Sequence, residues 1–297
     1  RELFVSAPDS VLVLRLKAGQ PGQLNVELAL DQPLRHAVGQ DGADLVLKGK
    51  ARVGNTGNSQ RYEDEAGFAG MFYQCRLRVL STDGKVALTD STMQLTDGSE
   101  AVLLLVAATS FNGFDQSPVR AGKDPETLTK NRLDRLAKAT WPSLYKRHLK
   151  DYSTYFKRVS LSLTQAPVPD LPIDKRLQAY REGQSDPNLE MLYFQFGRYL
   201  LISCSRPGGI AANLQGIWCN SINPPWRSNY TTNINLQMNY WPALPLNMRE
   251  MALPLMEQIK HMAVNGVHTA KNYYGMDGWA AHHNSDIWAQ TNPVGEG

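Results

Sequence analysis

The chain predicts a multidomain β-plus-α protein. It reads as an antiparallel β-sandwich over residues 1–113, a helical linker over 114–172 and a helical, toroid-like domain over 173–297. Three observations carry this. Residues 1 to about 113 alternate apolar and polar side chains between turn signals at near-regular spacing. The period changes to a helical one at Asp124-Pro125. From Ile173 onward, apolar-striped helices alternate with loops rich in amides and aromatics.

In the first region, Val11 and Val13 face one way while Leu12, Leu14 and Leu16 face the other. Leu24, Val26, Leu28 and Leu30 repeat the alternation. Further strands are expected over Asp44–Leu47, Met71–Leu80, Val86–Leu95 and Ala101–Ala107, and one directly after Arg1. Gln20-Pro21-Gly22, Asp41-Gly42, Asp83-Gly84 and Asp97-Gly98 mark turns. Asp124 followed by Pro125 is a helix start, an N-cap acid and then proline at the first helical position; that helix is expected to reach about Ala139. A second helix from Pro142 carries Tyr145, Leu149, Tyr152, Phe156 and Val159 on one stripe, and the Pro-rich segment 166–172 ends the linker. In the third region, Leu189, Leu192, Tyr193, Phe196, Tyr199 and Leu200 form an apolar stripe, ended by Arg206-Pro207-Gly208-Gly209. A long helix is expected over Met248–Tyr274 with Leu255, Ile259 and Met262 inward.

The 31 basic and 28 acidic residues are interspersed and leave a net charge of only +3, which argues against nucleic acid as a partner. The longest apolar run, 101–109, is too short to span a membrane. Cys75, Cys204 and Cys219 are widely spaced, with no metal spacing and nothing that demands a disulfide. The chain begins at Arg1 in mid-pattern and stops just after a Trp-rich segment, so it reads as an internal piece of a longer protein.

The most informative stretch is Asn213–Trp241. Seven of its 29 residues are asparagine and three are tryptophan, with no acid and one base, Arg227. Buried amides need hydrogen-bond partners, and solvated loops seldom carry three indoles. Together they suit a neutral, many-hydroxylated ligand: amides for hydroxyls, indole faces for a sugar ring. Asn233 and Asn235, two residues apart, would share one side of an extended segment and could hold one water between them. An amide cannot take up the proton, so a carboxylate must stand behind them. The alternative is that these asparagines cap helices and turns. His282-His283-Asn284-Ser285-Asp286 suggests pocket lining more than metal binding, because adjacent histidines diverge in an extended segment. Trp226, Trp241, Trp279 and Trp288 are candidate sugar platforms or buried core. Asn229-Tyr230-Thr231 fits a glycosylation acceptor, a short and common pattern.

The segments 212–218, 223–226, 232–243 and 279–284 resemble the signature segments of glycoside hydrolase family 95, inverting α-L-fucosidases with some α-L-galactosidases. The resemblance extends over essentially the whole chain. It implies an N-terminal β-sandwich, a helical linker and the first part of an (α/α)6 barrel. It implies that Asn233 and Asn235 orient the attacking water, polarised by an Asp, while a Glu acts as general acid; both carboxylates are expected beyond Gly297. Thr231 stands where fucosidases of the family often have His, and is expected to border the sugar C5 substituent with room for the hydroxymethyl of L-galactose. Trp226 and His283 are expected sugar contacts. Leu244 replaces a Glu common in relatives, with no evident consequence. No metal or organic cofactor is implied, the expected partner is a glycan bearing terminal α-L-fucose or α-L-galactose, and a periplasmic or secreted location is expected. The rival readings are a glycoside phosphorylase on the same architecture, disfavoured by the scarcity of basic residues near the motifs, and a non-catalytic carbohydrate-binding protein.

Overall fold

The computed structural model describes residues 1–56, 59–61 and 70–294, and the chain forms two compact units, Arg1–Asp151 and Tyr152–Gly297. The first unit contains strands β1 (Glu2–Ser6), β2 (Val11–Lys17), β3 (Leu24–Ala29), β4 (His36–Asp41), β5 (Asp44–Lys50), β6 (Gly54–Thr56), β7 (Ser59–Arg61), β8 (Phe72–Thr82), β9 (Lys85–Leu88), β10 (Thr92–Gly98) and β11 (Glu100–Thr109). A six-stranded antiparallel sheet runs β1-β2-β11-β8-β5-β4, and a three-stranded sheet runs β3-β10-β9. Leu16, Leu45, Leu77 and Leu103 of the larger sheet meet Leu24, Met93 and Leu95 of the smaller one, which makes a sandwich core.

The opposite face of the larger sheet is also buried. Val11, Val13, Val102, Leu104 and Val106 pack against Leu133 and Leu136 from the region of α1 (Pro125–Arg135), and against Leu144 of α2 (Trp141–Phe156). This two-sided burial is why residues 101–106 read as an unbroken apolar run rather than an alternation. Asp124 caps α1 as its sequence predicts, its carboxylate accepting from the Glu126 and Thr127 amides with Pro125 at the first turn. The helix ends at Arg135, four residues short of the expected end.

Two strand expectations change. Val86–Leu95 is not one strand but β9 and β10, because Thr89 closes a turn: its amide donates to the Thr92 carbonyl and its hydroxyl accepts the Ser91 and Thr92 amides. Strand β4, His-Ala-Val-Gly-Gln-Asp, escaped sequence reading because it has little alternation and lies at the sheet edge. It joins β5 through Asp41-Gly42, where Gly42 adopts a left-handed φ of 61°.

The second unit contains α3 (Ile173–Arg181), α4 (Pro187–Cys204), a 3-10 turn at Pro225–Ser228, β12 (Tyr230–Thr231), α5 (Asn235–Tyr240), a 3-10 turn at Arg249–Ala252, α6 (Leu253–Thr269), a π-turn at Ala270–Tyr274 and β13 (Asn284–Ser285). Its core gathers Leu201, Ile202, Ala211, Ala212, Tyr230, Leu236, Tyr240, Ala243, Met248 and Met251. The α4 stripe is packed only in part. Leu189, Leu201 and Ile202 are buried, whereas Leu192, Phe196 and Tyr199 are exposed and Tyr193 is 79% exposed. The helix is apolar round most of its circumference, so periodicity does not select the packed face. Arg198 is buried instead. Its guanidinium donates to the carbonyls of Tyr155, Phe156 and Val159 and to the Gln195 side chain. The orphan carbonyls at the end of α2 thus stand in for a counter-ion, and burial pulls the Arg198 pKa below its ordinary value.

On α6, Met262 is buried as expected, Leu255 is half-buried and Ile259 is exposed. The packed face is Gln258, Met262, Gly266 and Thr269, largely polar or small. It binds the following loop by hydrogen bonds, Gln258 to the Asp286 carbonyl (2.8 Å) and Thr269 to Thr291 (2.7 Å), with Asn265 reaching the Trp288 and Ala289 carbonyls. Among the described residues, no helix is long and apolar enough to cross a membrane.

Candidate active site

The Asn-rich segment is built on two buried phenols. Tyr240 Oη accepts the Ala212 amide at 2.7 Å and lies 2.7 Å from Ser205 Oγ. Ser205 donates its single proton to the Met251 carbonyl, so the Tyr240 hydroxyl donates to Ser205. Tyr230 Oη donates to the Ala211 carbonyl at 2.8 Å. Burial raises the pKa of both phenols, so they act as neutral hydrogen-bonding struts.

On this base, three of the seven asparagines are structural, in line with the turn-capping alternative. Asn213 Oδ1 accepts the Gln215 amide, Asn239 Nδ2 donates to the Asn213 carbonyl, and Asn229 Oδ1 accepts the Thr231 hydroxyl at 2.7 Å. Gly216 closes the first turn with φ 67°, and a Cβ there would come within 2.8 Å of the Trp218 ring. Trp226, Arg227 and Ser228 follow one another in left-handed backbone, with φ of 48°, 57° and 52°. Each such non-glycine residue costs about 1–3 kcal/mol. The turn holds the Trp226 indole in solvent, 76% exposed. Trp241 and Trp279 are exposed as well.

The sequence left unclear how the Asn-rich and His-His-Asn motifs relate; the structure joins them. Tyr230 and Thr231 of β12 pair with Ser285 and Asn284 of β13. Thr232 continues the contact, its amide donating to the His283 carbonyl at 2.7 Å and its hydroxyl to the His282 carbonyl at 2.9 Å. Its own carbonyl accepts Gln237 Nε2 at 2.5 Å. Asn233 follows in a turn and Asn235 opens α5. The two asparagines therefore stand in a turn and at a helix start, not in the extended segment that would align them by alternation. Both are exposed, and neither side chain has a hydrogen-bond partner among the described residues. Their amides are open to a ligand or water.

Thr231 is half-buried, and because its proton is committed to Asn229 its oxygen is left as an acceptor. His283 is exposed, and its carbonyl accepts the Thr232 amide just beyond the pairing. His282, which shares the motif, is engaged differently: its ring bridges Thr291 and Tyr274. Sequence reasoning passed over Thr232 and Tyr274; the one available signal was a hydroxyl residue directly preceding the asparagine pair. Three carboxylates near the motifs are engaged with other partners. Asp286 Oδ1 accepts the Trp288 and Gln290 amides, Glu250 pairs with Arg158 at 2.8 Å, and Glu257 pairs with Lys260. Among the described residues, no group of three His, Cys, Asp or Glu side chains is gathered as a metal site would require. The arrangement offers paired neutral donors and acceptors, exposed indoles and a threonine acceptor. These groups are of the types that suit hydroxyls and sugar faces, and among the described residues no carboxylate is bonded to either asparagine.

The sequence profile of the glycosyl hydrolase family 95 catalytic domain matches residues 140–297, and that of the glycosyl hydrolase family 65 N-terminal domain matches residues 1–113. Among curated proteins, "Alpha-L-fucosidase 2" of Arabidopsis thaliana is 37% identical over 99% of this chain, and the aligned part is 36% of that relative. "Probable alpha-fucosidase A" of Aspergillus niger is 31% identical over 98% of the chain and 36% of the relative. The Aspergillus oryzae protein of the same description is 28% identical over 72% of the chain and 30% of its own length. The chain thus spans about a third of the length of the curated relatives it matches.

Proposed function

The chain belongs to glycoside hydrolase family 95, and from that premise we propose that the full-length protein is an exo-acting, inverting glycosidase. It removes terminal α-L-fucose from oligosaccharides or polysaccharides and accepts α-L-galactose at the same site. The names of the relatives support fucose as the sugar. The observation that carries the reading is the Thr231–Asn235 segment, fixed against β13 and presenting two unengaged amides to solvent. Asn233 and Asn235 hold the attacking water on one face of the sugar. Because neither can accept its proton, an aspartate polarises the pair and a glutamate protonates the departing oxygen. Both carboxylates are assigned to residues downstream of Gly297, within an (α/α)6 barrel that the second unit begins.

Thr231 borders the C5 substituent. Its committed proton leaves an acceptor for the O6 hydroxyl of L-galactose, which fucose lacks. One small group is worth only about 1–3 kcal/mol, so Thr231 sets a preference rather than a barrier. Trp226 and His283 contact the sugar. No cofactor enters the chemistry, and a glycan substrate is most consistent with a location outside the cytoplasm.

The test follows the anomer released by the full-length protein from matched α-L-fucosyl and α-L-galactosyl disaccharides, read by NMR. The expected result is initial release of the β-anomer, with kcat lowered at least about 100-fold in Asn235→Ala. Initial release of the α-anomer, or an unaffected variant, refutes the assignment.

A further inference from the structure

We infer that His282 is a positioning residue for the turn that carries Asn233 and Asn235, an inference that rests on the function proposed above. The half-buried imidazole is held at both nitrogens. Nδ1 lies 2.7 Å from the Thr291 carbonyl, and Nε2 lies 2.6 Å from the Tyr274 hydroxyl. A carbonyl only accepts, so Nδ1 carries the proton and Nε2 accepts from Tyr274. The His282 amide also donates to the Thr291 carbonyl at 3.1 Å, and the Tyr274 ring stacks on the imidazole with centroids 5.9 Å apart. Thr291 is tied in turn to Thr269 of α6. Tyr274 ends the π-turn Ala270–Tyr274, a feature that recurs at functional sites.

The output of this clamp is the His282 carbonyl. It accepts the Thr232 hydroxyl at 2.9 Å, while the next carbonyl, of His283, accepts the Thr232 amide at 2.7 Å. Thr232 is bonded directly to Asn233. A continuous line of hydrogen bonds therefore runs from α6 through Thr291, His282 and Thr232 to the water-holding turn. Asn233 and Asn235 have no side-chain partners among the described residues, so their placement is set by the backbone of this turn. Displacement of the turn by about 1 Å would cost on the order of 100-fold in rate without changing the sugar contacts.

The experiment uses the full-length protein and an α-L-fucosyl disaccharide. His282→Ala removes both ring bonds. His282→Asn keeps an N–H at the Nδ1 position for Thr291, and Tyr274→Phe removes only the distal bond. The expected result is kcat lowered roughly 10–100-fold in His282→Ala with KM changed less than about twofold, and recovery to within about fivefold of wild type in His282→Asn. Tyr274→Phe is expected to fall between them. If His282→Ala does not fold, as judged by circular dichroism and urea unfolding, the other two variants carry the test, with Tyr274→Phe expected to lose kcat about 3–10-fold at unchanged KM. Wild-type kcat in a folded His282→Ala, or a rise in KM that accounts for the loss, overturns the inference. So does a His282→Asn as impaired as His282→Ala. Asn235→Ala is run beside them: its inactivity alongside a fully active His282→Ala sinks the positioning role and leaves the proposed function standing, whereas an active Asn235→Ala sinks both.

Discussion

The two units use their apolar side chains in opposite ways. In the first, the larger sheet is covered on both faces, and Val102, Leu103 and Leu104 on successive positions of β11 are each almost fully buried. In the second, Leu192, Tyr193 and Phe196 on α4 and Leu253, Val264 and Val267 on α6 are exposed, as are Trp226, Trp241 and Trp279. Both units also hold buried polar struts: in the first, Arg76 and Arg78 on Asp44 and Gln74 on Thr129; in the second, Tyr240 to Ser205 and Ala212, Arg198 to the end of α2, and Gln258, Asn265 and Thr269 to the loop that carries the histidines. The two units differ in how much large apolar surface they leave exposed, and in the second the hydrogen bonds to the histidine loop aim particular backbone segments.

That contrast can be broken by mutation. The largest expected effect is Leu104→Ala, which empties a fully buried position and should cost about 2–5 kcal/mol in urea unfolding. Tyr240→Phe comes next. It strands the buried Ala212 amide and should cost about 1–3 kcal/mol, with the unfolding slope unchanged. Asp124→Ala removes the α1 cap and should cost about 1 kcal/mol. Tyr193→Ala, on an apolar residue as large as any in the sandwich, should change stability by less than about 0.5 kcal/mol. A Tyr193 effect rivalling that of Leu104 would erase the distinction between the units.

Legibility followed the same divide. Strands β2, β3, β5, β8 and β11 were readable from their apolar patterning while the edge strand β4 was not, and the α1 cap was readable because Asp124-Pro125 states it locally. The strand break at Thr89 was not readable, since a hydroxyl turn carries no apolar signature. On α4 and α6 the period revealed helices but not their packed faces: α4 is apolar nearly all round, and the buried face of α6 carries Gln258, Gly266 and Thr269, which hydropathy assigns to solvent. At the site, composition flagged the amide-rich segment but could not sort asparagines. Asn213, Asn229 and Asn239 build turns while Asn233 and Asn235 remain open, a distinction that depends on Tyr230, Tyr240 and the β12–β13 pairing.

A smaller effect sharpens the comparison from the sandwich side. The Asp83 carboxylate accepts the Glu100 and Ser99 amides, which hold its pKa at about 2. A depressed acid contributes stability that is complete above its unfolded value and is lost as pH falls through the folded one. The Asp83 contribution should therefore persist at pH 4 and above and disappear as the pH approaches 2. NMR titration of its carboxyl carbon, compared with unfolding of Asp83→Asn across that range, checks it. A midpoint near the ordinary aspartate value would contradict the hydrogen bonds.

The most direct measurement of the central claim is a crystal structure of the full-length protein with L-fucose bound. The account predicts one sugar in the unit that carries Thr231–Asn235. A water held jointly by Asn233 and Asn235 should lie within about 3.5 Å of the anomeric carbon, with the C5 methyl directed at Thr231. Fucose bound elsewhere, or bound here with its anomeric carbon turned away from both asparagines, would contradict it.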